Sequence, residues 1–163
     1  MGYQADSIAN YFIDKSNEGL MFDLNPMKLQ RLLFISEAWH REIYKESLIQ
    51  DIFSMWPHGP VIPSLYHKLK YNRDKVITKY VASFMEGRYI VSSHVNKEDN
   101  QTKALLDKIT ETHNEYRSNQ LATIILQNIP KIKESDPILP YVFSCYIDKS
   151  LGRNNVIEMN KFR

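Results

Sequence analysis

Apolar residues recur along most of this chain with helical spacing, and proline or glycine punctuates nearly every boundary. The plainest segment opens at Asn25-Pro26. Asparagine caps the free N–H groups of a helix start, and proline at the first helical position loses no hydrogen bond, because that N–H has no intrahelical partner. Beyond it, Leu29, Leu32, Leu33, Ser36, Trp39, His40 and Ile43 fall on one side, whereas Lys28, Arg31, Glu42 and Lys45 are expected largely off it. Each leucine fully buried on such a stripe contributes roughly 1.5–3 kcal/mol, so this helix should anchor the core.

The flanking segments follow the same logic. An earlier helix is expected from Asp6 or Ser7, carrying Ile8, Tyr11 and Phe12 and stopping at Gly19. Leu48–Trp56 is a mixed apolar stretch that admits a short helix from Ser47 or Gln50. It ends at Pro57-His58-Gly59-Pro60-Val61-Ile62-Pro63, where three prolines remove backbone donors and force extended geometry. This corner should be rigid, with Gly59 supplying a backbone angle that other residues avoid. Pro63 then suits a helix start, continued by Ile62, Leu65, Tyr66 and Leu69. The runs around Glu86-Gly87, ITKYVASF before and YIVSSHV after, read as a hairpin, with a helix over the first run as the alternative. Leu105, Leu106, Ile109 and His113 mark another helix from Thr102. A next, capped by Ser118, carries Leu121, Ile124, Ile125 and Ile129, and a last is expected from Asp136-Pro137 through Val142, Phe143 and Tyr146.

The sum is a mainly α (α+β) fold: a compact single-domain bundle of about five to six helices with one small β-hairpin. Residues 1–152 form the domain in this reading, and 153–163 a short C-terminal tail. The 163 residues suffice for one core without metal or disulfide. Only Cys145 is present, which excludes an internal disulfide and fits a reducing compartment. The first twenty residues carry acids and amides where a signal peptide needs an apolar run, and no stretch reaches the ~18 apolar residues of a membrane span. A cytoplasmic protein without membrane contact is expected. Twenty-one basic and nineteen acidic residues leave a net charge of only +2, which argues against a polyanionic partner. Aromatic residues reach 12%, with ten tyrosines, and a polar-tipped aromatic suits a surface that is alternately wet and covered.

Candidate chemistry is sparse. No two of His40, His58, His67, His94 and His113 stand at the i, i+4 spacing of a helical metal site, and Cys145 lacks a CxxC partner. Cys145 sits in an aromatic run that predicts an inert, buried thiol. Ser54 and His58 are close in sequence, but no Gly-x-Ser-x-Gly elbow holds the serine. Asp14/Glu18 and Glu111/Glu115 read as solvated helix faces. The pattern therefore assigns no catalytic residue, metal or cofactor. His67–Lys75 mixes bases with Tyr71, but a basic helix end complementing the macrodipole explains it better than a nucleic-acid footprint. The Trp56–Pro63 corner, with Phe53, Trp39 and Tyr66 nearby, is either a structural turn or a pre-ordered loop for a partner.

The stretch from Leu24 to Tyr71 resembles the Panacea domain, also called SocA-like or GepA-like. That family shows a Leu-Thr-x-x-Lys-Leu-Gln-Lys-Leu-Leu-Tyr helix and a Gly-Pro-Val-x-Pro-x-Val-Tyr corner. Lys28, Leu29, Gln30, Leu32, Leu33, Gly59, Pro60, Val61, Pro63 and Tyr66 stand in matching positions, with Arg31 for the usual lysine and Phe34 for the usual tyrosine. Further on, the family's Leu-x-x-x-Thr-His segment corresponds to Asn119–Leu126, with isoleucine in place of the histidine and no Pro-Trp following.

The resemblance implies a non-enzymatic antitoxin that binds and neutralises a cognate toxin encoded nearby, on a plasmid, prophage or other mobile element. Some members deliver the toxin to a protease, so protease machinery is an implied second partner. A phage or effector protein reusing the domain against another host factor is the alternative. A small hydrolase or transferase using His58 or His67, and nucleic-acid binding through Lys68–Lys75, are the competing classes. The expected contact neighbourhood is Met55, Trp56, His58, Val61 and Tyr66. Gly59, Pro60 and Pro63 set the loop's shape, and Lys28, Leu29, Gln30, Leu32 and Leu33 form the helix behind it.

Overall fold

A computed structural model describes residues 2–150. In chain order the elements are α1 (Ala5–Asn17), α2 (Pro26–Tyr44), β1 (Ser54–Trp56), β2 (Gly59–Val61), α3 (Pro63–Leu69) with a 3₁₀ turn (Lys70–Asn72), β3 (Ala82–Met85), β4 (Arg88–Val91), α4 (Asn100–His113), α5 (Ser118–Gln127) and α6 (Pro140–Ser150). The mainly α fold with a small β component is the one expected. The proposed tail, 153–163, lies outside the described residues.

Helix α2 forms as its sequence dictates. The Asn25 side chain accepts from the Lys28 backbone N–H at 2.8 Å, and Pro26 occupies the first turn. It is the central element, packed against α1, α4, α5 and α6 and against β2. Leu29, Leu32, Leu33, Phe34 and Ile35 are all fully buried. Burial on neighbouring positions, rather than along one stripe, follows from having helices on several sides. Phe34 sits in an aromatic cluster, edge-on to Phe53 at 5.9 Å and to Tyr146 at 5.5 Å, and tilted against Phe143 at 5.0 Å.

Several local expectations are corrected. Helix α1 starts at Ala5 behind an uncapped Gln4; Asp6 is turned inward, where its carboxylate accepts from Lys68 Nζ at 2.6 Å and Ser92 Oγ at 2.7 Å. The 47–53 segment is not helical. Its backbone is taken by a bridge to Tyr3, with the Tyr3 N–H donating to Leu48 O at 2.6 Å and the Gln50 N–H to Tyr3 O at 2.8 Å. Buried Glu37 holds the same segment from the other side. The proline corner is itself a short antiparallel hairpin, β1–β2, with Met55 opposite Pro60, so a second hairpin joins the one expected at Glu86-Gly87. Asp136-Pro137 opens no helix: the 135–138 backbone pairs with Phe53 and Met55, and α6 begins at Pro140. Ser118 is the first residue of α5 rather than its cap. Cys145 is half-buried, not buried.

Candidate partner-binding surface

The polar residues of the Lys-Leu-Gln-Arg run point inward, each to backbone. Lys28 Nζ donates to Asn114 O at 2.6 Å and also to Phe22 O, which ties the loop after α1 to the end of α4. Burial without a neighbouring carboxylate at hydrogen-bond distance pushes its pKa down to about 8. Gln30 pairs with Ile62 in both directions, donating to its carbonyl at 3.1 Å and accepting its N–H at 2.8 Å. Arg31 donates through Nη1 to Pro60 O at 3.0 Å and through Nη2 to His58 O at 2.6 Å. Desolvation lowers its pKa to about 10. Lys28 and Arg31 were expected off the buried stripe, yet they are 0% and 1% exposed. Their long side chains reach carbonyls that helix periodicity does not reveal, and those bonds offset part of the cost of burying each cation.

These contacts fix the corner from beneath. Gly59 has φ +120°, and a Cβ there would lie 3.5 Å from Arg31 Cζ. Glycine is therefore needed for its backbone angle, since a Cβ would meet the guanidinium only at ordinary contact distance. Of the five residues expected at the contact surface, Met55 and Val61 are buried, at 6% and 0% exposure, and shape the hairpin from inside. Trp56 and Tyr66 are half-buried, with rings 4.8 Å apart edge to face, and His58 is exposed at the hairpin turn. Shallow grooves flank this turn. One, of about 390 Å³, runs from Arg31 and His58 to Ser118 and Leu126; the other, of about 300 Å³, runs from Trp56 and Pro57 to Leu126 and Pro130.

A second surface was not singled out by the sequence. The β3–β4 hairpin turns through Glu86 and Gly87, both at positive φ, and exposes Phe84, Met85, Tyr89, Ile90 and Val91. The available signal was apolar residues at successive positions of a two-stranded ribbon, which one core cannot cover on both faces. Helix α3 links the two surfaces, with Tyr66 beside Trp56 on one side and Lys68 lining a cleft under β3–β4 on the other. Among the described residues, no group of three or more His, Cys, Asp and Glu gathers as a metal site, and no helix is long and apolar enough to cross a membrane.

The stapled helix and corner are the geometry behind a family match over residues 29–128, to the model described as antitoxin SocA-like, Panacea domain. The chain belongs to that family. The Panacea match runs from the buried face of α2 through both hairpins to the end of α5, so it includes the Asn119–Leu126 stretch despite its departures from the pattern. No match was found among curated proteins or among solved structures.

Proposed function

We propose that this Panacea protein is a cytoplasmic antitoxin that neutralises a cognate toxin by direct, non-catalytic binding. The observation that carries the reading is the family match across 100 residues, 29–128. The geometry supports it in one respect: the motif's polar side chains are consumed internally, which leaves a pre-ordered corner with Trp56, His58 and Tyr66 as its reachable part. A surface already held in place loses little entropy when a partner docks. The toxin is encoded beside the antitoxin gene, on a mobile element in this reading, and protease delivery is the variant in which the bound toxin is destroyed rather than held.

Co-expression tests it. The adjacent gene product should arrest growth alone and be tolerated when this chain is present. The double variant Trp56→Ala/His58→Ala should weaken that protection by about tenfold or more in the dose required, the loss of an interface hot spot. An adjacent product that is harmless alone, or that stays toxic beside the wild-type chain, overturns the antitoxin reading.

A further inference from the structure

We propose that the cleft beneath the β3–β4 hairpin is where an extended, acidic segment of the toxin docks. The proposal rests on the antitoxin reading and adds the place and chemistry of contact. The cleft encloses about 640 Å³ and is lined by Lys68, Tyr71, Lys79, Ala82, Tyr89 and Val91. Clefts that hold ligands span roughly 300–1,000 Å³. In the hairpin register Ala82 faces Val91 and Phe84 faces Tyr89. Side chains alternate along a strand, so these four share the face that overlooks the cleft. The rings of Phe84 and Tyr89 meet edge to face at 5.1 Å, yet the two residues are 64% and 77% exposed, and Val91 is 55% exposed. A contiguous apolar patch of this kind on an isolated ribbon marks a surface that something covers.

The ribbon is held at its base and open at its tip. The Val81 N–H donates to Asn10 Oδ1 at 2.8 Å, Asn10 Nδ2 donates to Ser93 O at 3.2 Å, and the Ser92 hydroxyl donates to Asp6 at 2.7 Å. Asn17 Nδ2 donates to Thr78 O at 3.1 Å on the cleft's other wall. Helix α1 thus fixes both walls before any partner arrives. The sheet has two strands only, so each strand presents one side with no strand neighbour, the template for adding a strand from another chain.

Charge selects the partner. Residues 67–91 hold six basic side chains against two acidic ones, Asp74 and Glu86, whereas the whole chain has a surplus of only two. The rest of the chain is therefore net acidic, and the positive surplus lies in this segment, with Asp6 and Asp14 of α1 bonded to Lys68 and Tyr80 at the cleft. Lys68 is already engaged by Asp6, which leaves Lys79 as the other cation in the cleft's lining, while Lys70, Arg73, Lys75 and Arg88 are exposed elsewhere on the same segment. An aliphatic floor of Ala82 and Val91 beside an open strand edge suits a peptide backbone with apolar and acidic side chains better than it suits a phosphate backbone.

The test uses the full chain, the purified product of the adjacent toxin gene and a 20-nucleotide single-stranded RNA as probes. Tyr89→Asp/Val91→Asp should weaken toxin binding about 30-fold or more, as a lost hot spot does, with an unchanged melting temperature because both side chains are exposed. Lys79→Glu, which leaves the apolar face intact, should weaken binding several-fold at low salt and progressively less as salt rises. If wild type binds the toxin and both variants bind it equally well, the site is elsewhere and the antitoxin reading stands without it. If the RNA binds wild type and is lost in Lys79→Glu while toxin affinity is unaltered, the face is for nucleic acid and the proposal is overturned. If wild type does not bind the toxin at all, the antitoxin reading falls and the proposal with it.

Discussion

Replacing Glu37 by leucine is expected to lower the unfolding free energy by about 3–5 kcal/mol, read from urea denaturation followed by circular dichroism. Glu37 is 1% exposed and near the middle of α2. Its Oε1 accepts from Arg41 Nε at 2.7 Å and from the Ser47 hydroxyl at 2.8 Å, and its carboxylate accepts the backbone N–H groups of Leu48 at 3.2 Å and Ile49 at 2.7 Å. Leucine fills similar space but leaves two buried backbone donors without partners, while the Ser47 hydroxyl keeps the Ile49 carbonyl at 2.8 Å. Each unsatisfied buried donor costs about 1–3 kcal/mol, and Arg41 also loses its ion pair. Glu37→Gln keeps one acceptor oxygen but sets its amide nitrogen against the Ile49 N–H, so it should cost less than leucine while still destabilising measurably. A domain of this kind is stable by only about 5–15 kcal/mol, so the leucine variant should approach the limit of folding. An unchanged urea midpoint in Glu37→Leu would mean that the 47–49 segment is held by something else.

The second large effect is expected at Arg31. Arg31→Met removes the donors to His58 O and Pro60 O and should destabilise by about 2–4 kcal/mol, with hydrogen exchange across 54–61 accelerating more than the global loss explains. The cost is bounded because burying the charge is itself unfavourable and because Arg31 Nε has no hydrogen-bond partner. Arg31→Lys keeps a charged donor under the hairpin, removes the unpaired Nε, and should cost under about 1.5 kcal/mol. The two variants together separate an internal staple from a partner contact. A staple predicts loss of hairpin order in Arg31→Met whether or not a partner is present.

Much of this architecture was legible in the chain. Asn25-Pro26 fixed the start of α2, Pro63 the start of α3, and Glu86-Gly87 the tight turn of β3–β4, because each is decided by neighbouring backbone groups alone. The misreadings fall where distant partners decide. Asp6 looks like a cap but serves Lys68 and Ser92; Asp136-Pro137 looks like a helix start, but the adjacent backbone is claimed by Phe53 and Met55. Lys28 and Arg31 read as surface charges because the carbonyls they meet are 86 and 29 residues away for Asn114 and Pro60. At the corner, the family motif located the structurally important residues but not their orientation. Met55 and Val61 turned inward, and only Trp56, His58 and Tyr66 remained within reach of a partner. The exposed hairpin was missed because apolar residues at successive positions of so short a ribbon do not reveal that the core covers neither face of β4.

The most direct measurement is a titration of the purified chain into a fixed amount of the purified adjacent toxin, with toxin activity as the readout. Neutralisation by binding predicts that inhibition rises linearly and saturates at a fixed molar ratio, with a stable complex recovered at that ratio. Inhibition by traces of the chain far below the toxin concentration, or full toxin activity beside excess chain, would contradict it.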